Sequence, residues 1–219
     1  MTHVVHPYAQ RLGILRDWKS RWFGSREQYR EYLKTDVLVR EFLEKELRKF
    51  FISSIEMERS EKLLRIIIKT SRAGMLIGRN GEGAQKIKND VLSFLNKHKL
   101  SQSKELKVDI EEIRYPETDA AVVGMMVAEG LEKRLPFRRI LKTTIDKVSA
   151  SREVKGVRIA LSGRLGGAEM ARRESLKKGR IPLQTLRADV DFAKEKAYLP
   201  YGIVGIKVWI YKGEIFNKK

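Results

Sequence analysis

The residues best suited to chemistry in this chain are Gly78-Arg79-Asn80-Gly81, two glycines bracketing a guanidinium and an amide. Ahead of them Leu63-Leu64-Arg65-Ile66-Ile67-Ile68-Lys69 reads as a strand; behind them Ala84, Ile87, Val91, Phe94 and Leu95 recur at helical spacing. The tetrapeptide therefore falls at the N-terminus of a helix beginning near Glu82. Unbonded N–H groups and the positive end of the helix dipole favour a phosphate there. The glycines admit a sugar-phosphate backbone, Arg79 adds charge and Asn80 a hydrogen-bonding amide. Ile77, Ile87 and the strand would line an apolar groove for bases. Gly-x-x-Gly alone is weak in a chain with 16 glycines, and its weight comes from the strand before and the helix after. Other phosphate motifs fail on spacing. No glycine precedes a lysine, and Gly78, Gly81 and Gly83 do not make a dinucleotide fingerprint.

A second group is cationic. Lys and Arg number 46 against 28 Asp and Glu, a formal net charge of +18, so the long-range field attracts polyanions, nucleic acid first among them. The excess is concentrated: between Lys133 and Arg187 sixteen basic residues face only Asp146, Glu153, Glu169 and Glu174. Helical spacing puts Arg138, Arg139 and Lys142 on one outward face, and no acid lies between Arg134 and Ile145, so the cluster reads as unpaired. Ser162-Gly163-Arg164-Leu165-Gly166-Gly167 leads into Arg172, Arg173, Lys177, Lys178 and Arg180. A glycine turn followed by a run of basic residues can offer donors to several phosphates. Arg11 and the Trp18-Lys19-Ser20-Arg21-Trp22-Phe23 stretch mix aromatic and basic groups, suited to stacking on bases or to packing on their own domain.

Catalysis is not expected. There is no cysteine, which removes disulfides and thiolate zinc sites, and His3, His6 and His98 are too scattered for a cofactor, metal or acid–base cluster; they read as solvated or RNA-facing. No charge-free run approaches the ~20 residues of a membrane span, and the N-terminus lacks a signal-peptide pattern, so a soluble cytoplasmic protein without a membrane partner is expected.

The positioning elements follow from periodicity. Thr35 or Asp36 reads as the N-cap of a helix whose stripe is Val39, Phe42, Leu43, Leu47, Phe50 and Phe51. Ile55 and Met57 alternate with acids, Arg59 to Lys62 is a turn back into the Leu63–Lys69 strand, and Leu106, Val108 and Ile110 mark a third strand. Helix, strand, strand, glycine loop, helix, strand is the order of a type II KH domain, whose loop grips single-stranded RNA. Tyr115-Pro116 breaks the pattern. Beyond it come an almost uncharged helix with Val122, Val123, Met125, Met126, Val127 and Leu131, and a second with Phe137, Ile140, Leu141, Ile145 and Val148 inward. Strand patterns follow at Val157–Leu161, Leu186–Phe192 and Ile206–Ile210. The expected class is α+β: an arm over 1–16, a type II KH domain over 17–116, and over 117–219 an α+β domain with helices on a mixed or antiparallel sheet.

Taken together the chain resembles the bacterial small-subunit ribosomal protein S three family. The carrying motifs are His6-Pro7 with Arg11-Leu12-Gly13-Ile14 and Trp18 to Phe23, Ile77-Gly78-Arg79-Asn80-Gly81-Glu82, Phe137-Arg138-Arg139, and Ser162 to Glu169. Pro182-Leu183-Gln184-Thr185-Leu186-Arg187-Ala188-Asp189 and Tyr201-Gly202 with Gly205-Ile206-Lys207-Val208-Trp209-Ile210 complete them. The resemblance implies a component of the small-subunit head that binds ribosomal RNA and lines the channel through which messenger RNA enters, where Arg138, Arg139 and Lys142 assist opening of paired message. Ribosomal RNA contacts are expected at Arg11, Trp18, Trp22, Arg164, Arg172, Arg173, Lys177, Lys178 and Arg180. The implied protein neighbours are the S ten and S fourteen families, with S two, S four and S five nearby. Two sites depart from the family pattern. Thr2-His3-Val4 stands where Gly-Gln-Lys is common, Ala73 stands where proline often precedes the loop, and contacts from a long basic C-terminal tail are not assumed.

Two rival readings belong to other classes. A free regulatory KH protein would leave the second half dispensable, against the dense motifs after Phe137. A nuclease or a lyase acting on damaged DNA would need a catalytic cluster, and turnover abolished by one substitution would reveal it.

Overall fold

The computed structural model describes residues 5–60, 63–100 and 105–216. His3, the Thr2-His3-Val4 departure and Glu61-Lys62 of the expected turn lie outside them. The chain forms two compact units: Trp18–Arg114, and a second that joins the residues up to Asp17 with those from Tyr115 onward. The segment expected as a separate arm thus groups with the C-terminal half. It contains a short helix, α1 (Pro7–Gln10), capped by His6.

The Trp18–Arg114 unit runs β1 (Ser20–Arg21), α2 (Arg26–Glu46), β2 (Ile52–Arg59), β3 (Leu63–Thr70), α3 (Ala73–Ile77), α4 (Glu82–Lys97) and β4 (Glu105–Glu112). Its sheet has the order β1-β2-β3-β4, antiparallel between β2 and β3 and parallel at both outer pairings. Strand alternation turns Ile55, Met57, Leu64, Ile66 and Ile68 to one face, where they are buried with Val39 and Leu43 of α2 and Ile87, Val91 and Leu95 of α4.

Helix α2 corrects a sequence expectation. It begins at Ser25, whose side chain and that of Gln28 form a capping box, about three turns before Thr35. Thr35 and Asp36 are not caps but buried interior residues. Asp36 accepts from Trp22 Nε1 at 2.7 Å and from Arg59 Nη2 at 3.0 Å, and Arg59 also lies over the Tyr32 ring at 4.3 Å. A carboxylate and a guanidinium, both buried, thus tie the helix to the sheet.

The other face of this sheet carries charges that answer one another. Arg21 meets Glu56 and Glu58, Arg65 meets Glu58 and Asp109, Lys69 meets Glu56 and Glu111, and Lys107 meets Asp109. The ladder covers Ile67, which is 4% exposed. The Arg65 hydrogen bond, with the charge of Lys107, holds the Asp109 carboxyl below its ordinary pKa against the opposing effect of desolvation.

The second unit continues with α5 (Ala120–Glu132), α6 (Phe137–Ala150), β5 (Gly156–Gly163), β6 (Arg172–Gly179), β7 (Ala188–Leu199) and β8 (Gly202–Glu214). Asp119 caps α5 by accepting from the N–H groups of Ala121 and Val122. The sheet is antiparallel throughout, in the order β6-β5-β8-β7. Val123, Val127 and Leu131 of α5 and Ile140, Ile145 and Val148 of α6 share one core with Ile159, Leu161, Ile206, Val208 and Ile210. The helices therefore occupy one face. Strand β6 was not expected: its sequence is too basic to show an apolar period, and its backbone pairing with β5 at the sheet edge makes it a strand.

Candidate nucleic-acid interface

The glycine loop joins α3 to α4 in a sharp bend. Gly78 has φ 71°, Asn80 φ 51° and Gly81 φ 82°, so three of the four residues take conformations open chiefly to glycine and tolerated by asparagine. A side chain at Gly81 would meet nothing within 4 Å, which leaves its backbone open to close approach, and Gly81 precedes α4 without any side-chain cap. Gly83 serves packing: a Cβ there would lie 2.2 Å from the Leu76 carbonyl oxygen, so glycine lets α3 and α4 meet. Arg79 and Asn80 are exposed beside Met75 (65%) and Ile77 (38%). Ile87, expected in the groove, is instead 7% exposed and belongs to the core stripe. The apolar lip is Met75 and Ile77.

Helix α6 buries Ile140, Leu141, Ile145 and Val148 and presents Arg138, Arg139 and Lys142 to solvent. The expected absence of a carboxylate holds along the chain but not in space. Arg138 Nη2 lies 3.4 Å from Glu174 on β6, an exposed pair worth little. Strand β6 carries the remaining cations in alternation. On the helix side Lys178 meets Asp146 at 3.0 Å, and Arg172 lies 3.7 Å from Glu174 and 5.5 Å from the Phe137 ring centroid. Arg173 and Lys177 point to the opposite face, and Arg180 follows, exposed.

Several residues expected at RNA are engaged elsewhere. Arg11 is fully buried: its Nε donates to the Ala188 carbonyl (2.6 Å), Nη1 to Pro7 (2.9 Å), and Nη2 to Pro182, Leu183 and Thr185 (3.3, 3.0 and 2.9 Å). It is a clamp on the 182–188 segment, with no surface for a phosphate. Trp22 is half-buried, bonded to Asp36 and packed at 5.1 and 5.5 Å against Tyr29 and Tyr32. Trp18 remains 62% exposed. Arg164 donates to the carbonyls of Ala168 (2.9 Å) and Tyr201 (3.3 Å), bracing the Gly166-Gly167 turn. His6 packs edge-on to Phe192, and His98 lies against Phe94. What sequence reasoning missed are the partners: Glu174 for Arg138, and four carbonyls more than 170 residues away for Arg11.

No group of His, Cys, Asp or Glu suited to a metal occurs among the described residues, and none of the helices there is long and apolar enough to cross a membrane. The arrangement offers exposed cations and an open glycine loop, which can hold phosphates by charge and hydrogen bonding.

Comparison with known proteins points the same way. Residues 38–118 match the family model described as KH domain, and residues 127–210 match that of the ribosomal protein S3 C-terminal domain. Proteins named small ribosomal subunit protein uS3 from Caldicellulosiruptor bescii and Clostridium novyi are each 42% identical over 219 residues, covering all of this chain and 96% of theirs. That of Pseudomonas aeruginosa is 42% identical over 217 residues, 99% of this chain and 92% of its own.

Proposed function

Since the chain belongs to the small ribosomal subunit protein uS3 family, with a KH domain and an S3 C-terminal domain, we propose that it is a non-catalytic constituent of the small-subunit head. In that place it holds ribosomal RNA, lines the channel by which messenger RNA enters and assists separation of paired message. Its site of action is the cytoplasmic ribosome, and its neighbours are proteins of the S ten and S fourteen families, with S two, S four and S five nearby.

The observation that carries the channel assignment is the outer face of α6, where Arg138, Arg139 and Lys142 stand exposed and, among the described residues, the one ion pair is that of Arg138 with Glu174. Cations on a rigid helix can take the phosphates of a strand as it leaves its duplex. This stabilises the separated strand and asks no bond-making of the protein. Reversing all three to glutamate should leave subunit assembly intact. Translation through a stable hairpin should slow by roughly tenfold, three phosphate contacts being lost, while an unstructured message is read normally. Equal translation of both messages by the variant would overturn the channel assignment.

The loop Gly78-Arg79-Asn80-Gly81 is the second contact, gripping single-stranded backbone with bases against Met75 and Ile77. The double change Arg79→Asp and Asn80→Asp keeps a residue tolerant of the left-handed region at 80 but replaces attraction by repulsion. Affinity for a single-stranded oligoribonucleotide should fall by at least about tenfold with the circular dichroism spectrum unchanged. Undiminished binding would show that the loop packs without gripping RNA.

A further inference from the structure

The sheet β6-β5-β8-β7 is covered by α5 and α6 on one face, and α1 with its cap His6 packs on the other at Phe192 of β7. On the other face, the end near Ala188 and Val190 is packed with Ile181, Leu183 and Trp209. The rest is ordered by register. Lys177 stands opposite Arg158, Lys194 opposite Lys207, and Arg173 and Lys196 flank the same rows. Every charged side chain in these rows is basic.

Two of the pairings are like charges facing each other directly across neighbouring strands, an arrangement that destabilises a sheet. Among the described residues, no ion pair answers Arg158, Arg173, Lys177, Lys194 or Lys207. This is not how the chain treats its other sheet, where Arg21, Arg65 and Lys69 meet carboxylates across strands and Lys107 meets Asp109 of its own strand. Arg158, Arg173, Lys177, Lys194 and Lys207 left unanswered, in a chain that answers the cations of its other sheet, imply that their counter-charge comes from outside the chain. We propose that the open part of this face, away from α1 and the Ile181–Leu183 packing, is a further RNA-binding surface, taking the phosphates of base-paired RNA.

The choice of paired RNA follows from what the face presents. Single-strand binders offer aromatic planes for bases to stack on. Here the Lys194 ammonium lies 5.8 Å over the Phe192 ring and the Arg158 guanidinium 5.2 Å over Trp209, so the cations cover both rings. Apart from Tyr198 and Ile203, exposed together at the far end of β7 and β8, what is left is charge spread over four strands, a width of about 14 Å at the usual strand spacing, which suits the phosphates of a helix.

The inference rests on the ribosomal reading above, and its test is separable from that reading. Full-length protein carrying Lys194→Gln and Lys207→Gln, both exposed and outside the residues assigned to the channel and the loop, is titrated with salt against a fully paired RNA duplex and against poly(U). For the duplex, the slope of log affinity on log salt should become shallower by about 1.5, and affinity near 0.1 M salt should fall by roughly tenfold. Binding of poly(U) should change less than twofold. The thermal midpoint at low salt should rise, because a repulsive pair has been relieved, and the Lys194→Arg and Lys207→Arg variant should bind duplex as the parent does. An unchanged duplex slope overturns the proposal. So does an equal loss on poly(U), a lowered midpoint, or intact duplex binding combined with loss of a neighbouring protein from purified subunits. Failure of the unsubstituted protein to bind any RNA would instead overturn the ribosomal reading itself.

Discussion

Replacing Arg11 with alanine should lower the stability of the C-terminal unit by about 3–5 kcal/mol, a fall in thermal midpoint of roughly 10 °C. The guanidinium is fully buried and donates to five backbone carbonyls, one on α1 and four between Pro182 and Ala188. Burial lowers its pKa from the ordinary value and the Asp189 carboxylate opposes that shift, yet a guanidinium keeps its charge in a protein. Removing it leaves the carbonyls of Pro7, Pro182, Leu183, Thr185 and Ala188 without this donor. Arg11→Lys should restore little, because an ammonium cannot span a fork that meets carbonyls on two sides. Thermal unfolding with hydrogen exchange at residues 182–188 measures the effect; a loss under about 1 kcal/mol would mean the clamp is redundant. Any weakening of RNA binding in this variant should track the unfolded fraction, since Arg11 has no exposed surface.

Asp36→Ala should be comparably damaging to the Trp18–Arg114 unit, by about 3–5 kcal/mol, because it leaves Arg59 buried without its counter-charge. The loss is compounded at Trp22, whose indole N–H is left without the Asp36 oxygen. Asp36→Asn, which can still accept both hydrogen bonds, should lie between wild type and alanine. The double change Asp36→Ala with Arg59→Met separates the causes. If the cost is the orphaned charge, the pair of substitutions should be milder than Asp36→Ala alone, and chemical denaturation of the three variants decides it.

The parts legible in the sequence were those whose periodicity reports burial. The β-branched run Ile66-Ile67-Ile68 between Arg65 and Lys69, the Val91 and Leu95 stripe, and Ile140, Leu141, Ile145 and Val148 read correctly as strand, helix and helix, because one face of each is in a core. The first turns of α2 did not show, since Arg26 to Lys34 has only the short stripe Tyr29, Tyr32 and Leu33, not buried in the core, and is held by a capping box and by Trp22 against Tyr29 and Tyr32. Strand β6 was hidden for the same reason. At the candidate interface, residue type identified Arg138, Arg139, Lys142, Arg79 and Asn80 as exposed cations and loop donors. Type could not say that Arg11 and Trp22, equally basic or aromatic, were facing inward. That is decided by partners remote in sequence: Ala188 for Arg11, Asp36 for Trp22, and for Arg138 a carboxylate on a strand that was not foreseen.

The clamp also fixes an order of events during synthesis. Arg11 leaves the ribosome early, but its acceptors at Pro182 to Ala188 are made only after the whole of Trp18–Arg114 has been translated. The inserted unit has every one of its strands in hand once Glu112 has emerged, and it can fold at once. The opening residues must wait through most of elongation for the last hairpin, so the nascent chain carries a folded middle between two unfinished ends. A truncated chain ending before Pro182 would keep the first sheet and leave its own beginning undocked.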